Sequence, residues 1–222
     1  MQGYCSKLIY TFIAISLSLP VSAYVDNYSV ETFYKDATYS HFLRSITESY
    51  NHQYVCDPGN TKLIVYAIHV LKKHPDFAVK LVDDFGTLED CQQQVVCASL
   101  AGASYHNEHN AINAQYNGVC TANQSLAIQN ANNITFLNKI ETVEDENRQA
   151  LYMASCWAAF FATGDEKTIA KMAEYAKAHQ GQSDHQLAIA EFESSAMLLA
   201  QQDPTINDIL TKQSYQCLSC FR

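Results

Sequence analysis

The stretch ALYMASCWAAFFATGDEKTIAKMAEYAKAH, residues 150–179, decides the fold. Its first part, through Ala162, is uncharged and apolar on every side, yet too short to span a membrane, so it is predicted to be a core helix. Gly164 suits a left-handed helix exit, and Asp165 suits the N-cap of a following helix. Beyond this corner the apolar residues recur at helical spacing: Ile169, Met172, Ala173 and Ala176. We therefore expect two helices packed as an αα-hairpin.

Two further corners share this pattern. At Pro75 and at Pro204 a largely apolar segment meets a short turn containing Pro and Asp, and an amphipathic segment follows. When αα-hairpins stack, the apolar faces of such segments are buried against one another. The three corners are unevenly spaced, so no fixed repeat period is established. The predicted fold class is all-α, with αα-hairpins stacked as a solenoid or as an irregular helical bundle and braced by disulfides.

The segment TKLIVYAIHVLKK, residues 61–73, is apolar around most of its circumference. A helix of that kind is buried on all sides, so we predict a central position for it. His69, on this helix, is interpreted as a core histidine.

The segment CWAAFFATGDEKTIAKM, residues 156–172, also resembles uncharacterised exported bacterial proteins. In those proteins a Trp, a Phe-Phe pair and Thr-Gly-Asp join two helices. The resemblance implies a bacterial, helical, exported protein. It implies no activity and no functional residues.

Residues 1–23 have the pattern of a secretory signal peptide. Lys7 precedes an apolar run, and Val21-Ser22-Ala23 is an A-x-A-like cleavage site. The alternative is an uncleaved anchor, but the apolar run is short for a bilayer. We expect cleavage after Ala23 and an exported protein, either periplasmic or secreted.

The mature chain is expected to contain one folded unit. Residues 24–40 show no sustained period and are predicted to form an extended N-terminal arm. Residues 41–222 are predicted to form a single α-helical domain. Within it, the Asn-rich region about 107–138 is predicted to be a loop with one short helix near 125–130, because Asn side chains compete for the helical backbone.

The charge of the chain excludes some partners. Its formal net charge is −9 at pH 7, and it lacks the basic field that nucleic acid or an anionic membrane requires. We therefore expect an unknown protein partner, no nucleic acid and no stable membrane insertion after signal cleavage. No cofactor is predicted.

Eight cysteines are present, and Cys5 lies within the predicted signal peptide. Seven remain, which is an odd number, and in an exported chain this density indicates disulfides. Cys156 is the predicted free or buried thiol because it lies inside the apolar helix beside Trp157. A bridge from Cys120 to Cys97 is one option for tying back the Asn-rich region. The disulfide candidates are Cys56, Cys91, Cys97, Cys120, Cys217 and Cys220.

Cys217 and Cys220 form a terminal Cys-x-x-Cys pair. In thioredoxin-type redox proteins the reactive cysteine begins a helix, whose dipole stabilises the thiolate. Here the pair follows a predicted helix, so a structural role is favoured, with Cys56 or Cys91 as the expected partners. Metal binding, intermolecular pairing and thiol exchange are the alternatives.

His106, Glu108 and His109 form the other candidate site. Histidines three apart can share a metal ion on one helical face, but this spacing is not a metalloprotease motif. The favoured interpretation is surface histidines near a helix end, and no metal site is predicted.

No set of residues in the sequence converges on catalysis. Gly-x-Ser-x-Gly, Ser-x-x-Lys and Gly-rich phosphate loops are all missing from the chain. The leading hypothesis is an exported, non-catalytic helical interaction or scaffold protein. The alternatives are a metal-dependent hydrolase using His106, Glu108 and His109, a thiol-disulfide exchange enzyme using Cys217 and Cys220, and a small-ligand carrier.

Overall fold

The computed structural model describes residues 28–48, 61–105, 110–120 and 145–213, and within these ranges every regular element is helical. The all-α class predicted from the sequence is therefore confirmed. The α-helices of the described ranges are α1 (Tyr28–Thr32), α2 (Tyr39–Thr47), α3 (Thr61–Lys73), α4 (Asp76–Asp84), α5 (Asp90–Tyr105), α6 (Asn110–Val119), α7 (Glu146–Thr163), α8 (Glu166–Ala178), α9 (Gln186–Gln202) and α10 (Pro204–Lys212). Short 3-10 turns follow α1 and α4 and precede α9, at Phe33–Lys35, Phe85–Thr87 and Ser183–His185.

Four long helices lie in the spatial order α5, α3, α7, α9, each packed against the next. Around this row, α6 packs against α5 and α4, α8 packs against α7 and α10, and α10 packs against α9. Because α3 lies between α5 and α7, the two halves of the chain share one core.

The position of α3 follows from its sequence. Every residue from Leu63 through Ile68 is buried, as are Val70 and Leu71, so this helix meets neighbours on all sides. Full burial of one large aliphatic side chain contributes roughly 1.5–3 kcal/mol to stability. The central helix predicted for residues 61–73 is therefore present with the same bounds.

The corner between α7 and α8 forms as the sequence predicts. Gly164 is left-handed, with φ 67°, and its N–H donates to the carbonyl of Phe160. The left-handed conformation favours glycine, while a Cβ at this position would make only ordinary contact with Tyr34, 3.4 Å from its Cβ. The carboxylate of Asp165 accepts a hydrogen bond from the N–H of Lys167 and caps α8.

The prediction of an extended arm at residues 24–40 is wrong over the part that is described. That part forms α1, a 3-10 turn and the beginning of α2. Val30 and Phe33, three residues apart, are buried, and Phe33 packs edge-on against Phe42 and Tyr66. Tertiary packing, rather than an amphipathic period, therefore determines the helical conformation here.

The predicted loop at about 107–138 is also partly wrong, because α6 occupies Asn110–Val119. Ile112 and Tyr116 lie four residues apart and are buried where α6 packs on α5 and α4. Burial of this stripe outweighs the weak helix preference of Asn. The short helix predicted near 125–130 lies outside the described residues.

A disulfide joins Cys97 on α5 to Cys120, the residue that follows α6. Their Cα atoms are 5.5 Å apart, and both side chains are buried. The bond holds the end of α6 against α5, so a disulfide stabilises the fold, as the sequence predicts.

Candidate functional site

Several residues proposed from the sequence lie outside the described ranges. They are Cys56, His106, Glu108, His109, Cys217 and Cys220. Within the described ranges, no group of three or more His, Cys, Asp or Glu side chains is arranged to hold a metal ion.

The described cysteines have structural positions. Cys91 is disulfide-bonded, as are Cys97 and Cys120. Cys156 on α7 is a free thiol and is half-buried. Burial raises its pKa to about 11, and the opposing effects of Tyr152 and Lys171 do not compensate. A thiol with such a pKa is protonated at neutral pH and is a poor nucleophile.

Among the described residues, a group of hydrogen-bonded polar side chains lies where α7, α8 and α9 meet. We call it the histidine cluster, and it consists of Gln149, Tyr175, His179 and His185. The hydroxyl of Tyr175 is 2.6 Å from Nδ1 of His185, and Oε1 of Gln149 is 3.1 Å from that same nitrogen. Nδ1 of His179 is 2.9 Å from the backbone carbonyl of Tyr175. The two imidazole rings lie 4.2 Å apart between centroids and are tilted by 50°.

Local sequence positions this cluster. Tyr175 lies on the last turns of α8 and His179 directly follows that helix, so four residues bring them to one face. His185 closes the 3-10 turn that leads into α9. Gln149, on the first turn of α7, is buried and reaches the cluster from a helix 36 residues away in sequence.

The chemistry of the cluster is that of polar anchoring rather than of an activated nucleophile. Burial, together with the charge of Asp184, raises the pKa of Tyr175, so the phenol keeps its proton. Sequence reasoning missed the cluster, because the spacing of His179 and His185 matches no motif and Gln149 joins them only through the fold. The one available signal was the pair of histidines on either side of a predicted helical corner.

A second buried polar group lies at the corner between α9 and α10. The Asp203 carboxylate accepts hydrogen bonds from the hydroxyl of Tyr34 and from the N–H of Thr205, and the ammonium of Lys35 is 2.6 Å from it. This arrangement caps α10 and holds the 3-10 turn after α1 in place. The phenol, the ammonium and the amide N–H all donate to the one carboxylate, so the group acts as a structural anchor.

None of the described helices covers the outer face of α9, at the end of the row. The outer face of α9 is exposed and uncharged, and it consists of Leu187, Ala190, Ser194, Met197 and Gln201. Leu187 is 45 % exposed and Met197 is 42 % exposed. The helix carries two acidic residues, Glu191 and Glu193, and no basic one.

The chain matches no family model, and no curated protein or solved structure matches it either. None of the described helices is long and apolar enough to span a bilayer.

Proposed function

We propose that this chain is an exported, non-catalytic helical interaction protein that works in an oxidising space, periplasmic or extracellular. The signal-peptide pattern of residues 1–23 supports export. The bond between Cys97 and Cys120 and the bonded state of Cys91 support an oxidising compartment, since cytosolic thiols are kept reduced.

The observation that carries the interaction role is the outer face of α9. Helices at the end of a stacked array ordinarily present polar residues to water. Here Leu187 and Met197 stand exposed on a helix whose opposite face is already buried through Phe192 and Ala196. Exposed large apolar side chains on an uncharged helix face are what a protein contact site would use.

The chemistry of the face defines the partner. Its centre is uncharged, and the whole chain has a net charge of −9. On the helix itself Glu191 is already paired with Lys62, 2.8 Å away, so the overall charge of the chain is what favours a basic partner. The complementary surface is a protein segment with apolar side chains flanked by Lys or Arg, whose charges would also speed association. We propose this class of partner for α9.

Selection of peptides by display against the oxidised, purified protein tests the proposal. Peptides that carry apolar residues flanked by basic ones should be enriched. The double variant Leu187→Asp, Met197→Asp should bind them at least about tenfold more weakly, because the centre of the contact is lost. The matched control is Val79→Asp, which changes an equally exposed apolar residue on α4.

Equal binding by the α9 double variant and the wild type would exclude α9 as the contact face. Sedimentation of the wild type and the double variant provides a second readout. Self-association that disappears in the double variant would mean that a second copy, not a basic partner, covers the face, and the proposed partner class would be wrong.

A further inference from the structure

We propose that Met197, on the outer face of α9, is an oxidation site at which a peroxide converts the thioether to a sulfoxide and thereby weakens binding at that face. This inference rests on the function proposed above, because it assigns a regulation to the same surface. Met197 is 42 % exposed. It lies ten residues after Leu187, a spacing that brings the two side chains to one side of the helix.

The methionines of the chain differ in how far solvent reaches them. Met1 belongs to the predicted signal peptide, and the other three are Met153, Met172 and Met197. Met153 on α7 is 0 % exposed and Met172 on α8 is 2 % exposed, and both lie in the hydrophobic core. An oxidant has to touch the sulfur in order to react with it. Met197 should therefore be oxidised well before the other two.

The cysteines of the described residues do not compete with Met197 for an oxidant. Cys91, Cys97 and Cys120 are already disulfide-bonded. Cys156 is half-buried, and burial raises its pKa to about 11, so the reactive thiolate is scarce at neutral pH. A thioether carries no proton and reacts without first losing one. Within the described ranges, the sulfur of Met197 is the one best placed to react with a peroxide.

The reaction transfers one oxygen atom and two electrons. A lone pair of the Met197 sulfur attacks one oxygen of hydrogen peroxide, so that an S–O bond forms while the O–O bond breaks. The sulfur is oxidised, and the departing hydroxide takes the proton from the transferred oxygen and leaves as water. The peroxide comes from the oxidising surroundings of an exported protein. Enzymes of the methionine sulfoxide reductase class restore the thioether.

Oxidation changes the character of the contact face. A sulfoxide is polar and accepts hydrogen bonds from water, which a thioether does only weakly. A partner that covers the oxidised side chain with apolar groups removes that hydration and supplies no donor in return, which costs binding free energy. Leu187 is then the one large apolar side chain left on this face of α9, all of which lies within the described residues.

The selectivity of oxidation is measured on the full, disulfide-bonded chain. The native protein is treated with dilute hydrogen peroxide, and mass spectrometry follows the peptides that contain Met153, Met172 and Met197. The sulfoxide should form at Met197 at least about tenfold faster than at the two buried methionines, and the difference should disappear in the denatured protein. Similar rates at all three positions of the native protein would overturn the proposal.

Hydrophobic-interaction chromatography measures the effect on the face without any partner. Peroxide treatment should make the wild type elute earlier. Met197→Leu keeps an apolar side chain that forms no sulfoxide, so its retention should be the same before and after treatment. Met172→Leu is the matched control, because it changes a buried methionine and should shift as the wild type does. An unchanged wild type, or an equal shift in Met197→Leu, would contradict the proposal.

The peptides selected by display provide the last readout. Peroxide treatment should weaken their binding to the wild type by about tenfold, because the sulfoxide loses its hydration in the contact. The affinity of Met197→Leu, compared with itself before and after treatment, should not change. Peptides that bind the oxidised and untreated wild type equally would refute the regulation and leave the proposed function standing. If no peptide is selected, the proposed function fails, and the oxidation rates and retention still decide whether Met197 is the oxidation site.

Discussion

The phenol of Tyr34 donates a hydrogen bond to the carboxylate of Asp203, across 169 residues of sequence. The ammonium of Lys35 meets the same carboxylate, as does the N–H of Thr205. Burial alone would raise the pKa of Asp203. The hydrogen bonds from Lys35, Tyr34 and Thr205 outweigh burial and hold the pKa below its ordinary value. One buried anion therefore joins the beginning of the described chain to its last corner.

We predict that Asp203→Asn lowers the free energy of unfolding by about 1–2 kcal/mol at neutral pH, because the amide can still cap α10 but no longer offers Tyr34 and the half-exposed Lys35 a carboxylate. The folded pKa of Asp203 is depressed, so the stabilisation is present above the ordinary pKa of an aspartate. It is lost as the pH falls through the folded pKa. Urea unfolding of wild type and variant, repeated at falling pH, measures both effects.

Asp208→Asn is the control for that experiment, since Asp208 lies exposed on α10. Its unfolding free energy should stay within about 0.5 kcal/mol of the wild type. An equal loss in both variants would show that Asp203 acts only through the net charge.

The second prediction concerns the bridge between Cys97 and Cys120, which are 23 residues apart. The double variant Cys97→Ala, Cys120→Ala should lower the unfolding free energy by about 3 kcal/mol, because the unfolded chain regains the entropy of the open loop. Guanidinium unfolding under oxidising conditions gives the value. Cys156→Ala removes a free thiol and breaks no bond, so a comparable loss in that variant would contradict the entropic explanation.

The third prediction concerns the Cys156 thiol, whose pKa burial raises to about 11. At pH 7.5 its alkylation by iodoacetamide should be far slower than alkylation of the same thiol in denatured protein, because the thiolate fraction and the access are both small. Mass spectrometry of the peptide that contains Cys156 follows the reaction. Native and denatured rates that agree would show that the thiol is open to solvent.

The fourth prediction concerns Glu31 on α1, where burial raises the pKa from its ordinary value of 4.5 to about 7. Between those two values the native carboxyl keeps a proton that the unfolded chain has lost, so stability falls as the pH rises. Glu31→Gln removes this penalty. The variant should match the wild type at pH 4 and exceed its stability at pH 8 by an amount on the order of 1–3 kcal/mol.

Thermal unfolding at the two pH values checks the prediction for Glu31. Glu48→Gln changes an exposed carboxylate just after α2 and should show no such dependence on pH. A wild-type stability that rises from pH 4 to pH 8 relative to Glu31→Gln has the wrong sign and would refute the assignment.

Much of the fold could be predicted because local chemistry and burial agree there. Gly164 and Asp165 mark a corner by conformation and capping, and Asp203 followed by Pro204 marks another in the same way. These signals lie within a few neighbouring residues. The bounds of α3 likewise follow from one continuous apolar segment.

The rest could not be predicted because it depends on contacts that are distant in sequence. The helix α6 forms because Ile112 and Tyr116 are buried where it packs against α4 and α5. The local helix preference of an Asn-rich segment gives no sign of these contacts. The histidine cluster depends on Gln149 arriving from α7. The spacing of these residues in the sequence gives no indication that Gln149 lies next to His185.

The insertion of α3 between α5 and α7 has a consequence for dissecting the molecule. A fragment ending at Cys120 would leave the side of α3 that meets α7 bare, and a fragment starting at Asp145 would lose the partner of α7. Neither piece should be soluble when produced alone, yet the two pieces made together should reassemble. The chain is thus suited to a split reporter, in which recovery of the helical signal reports that two fused proteins have met.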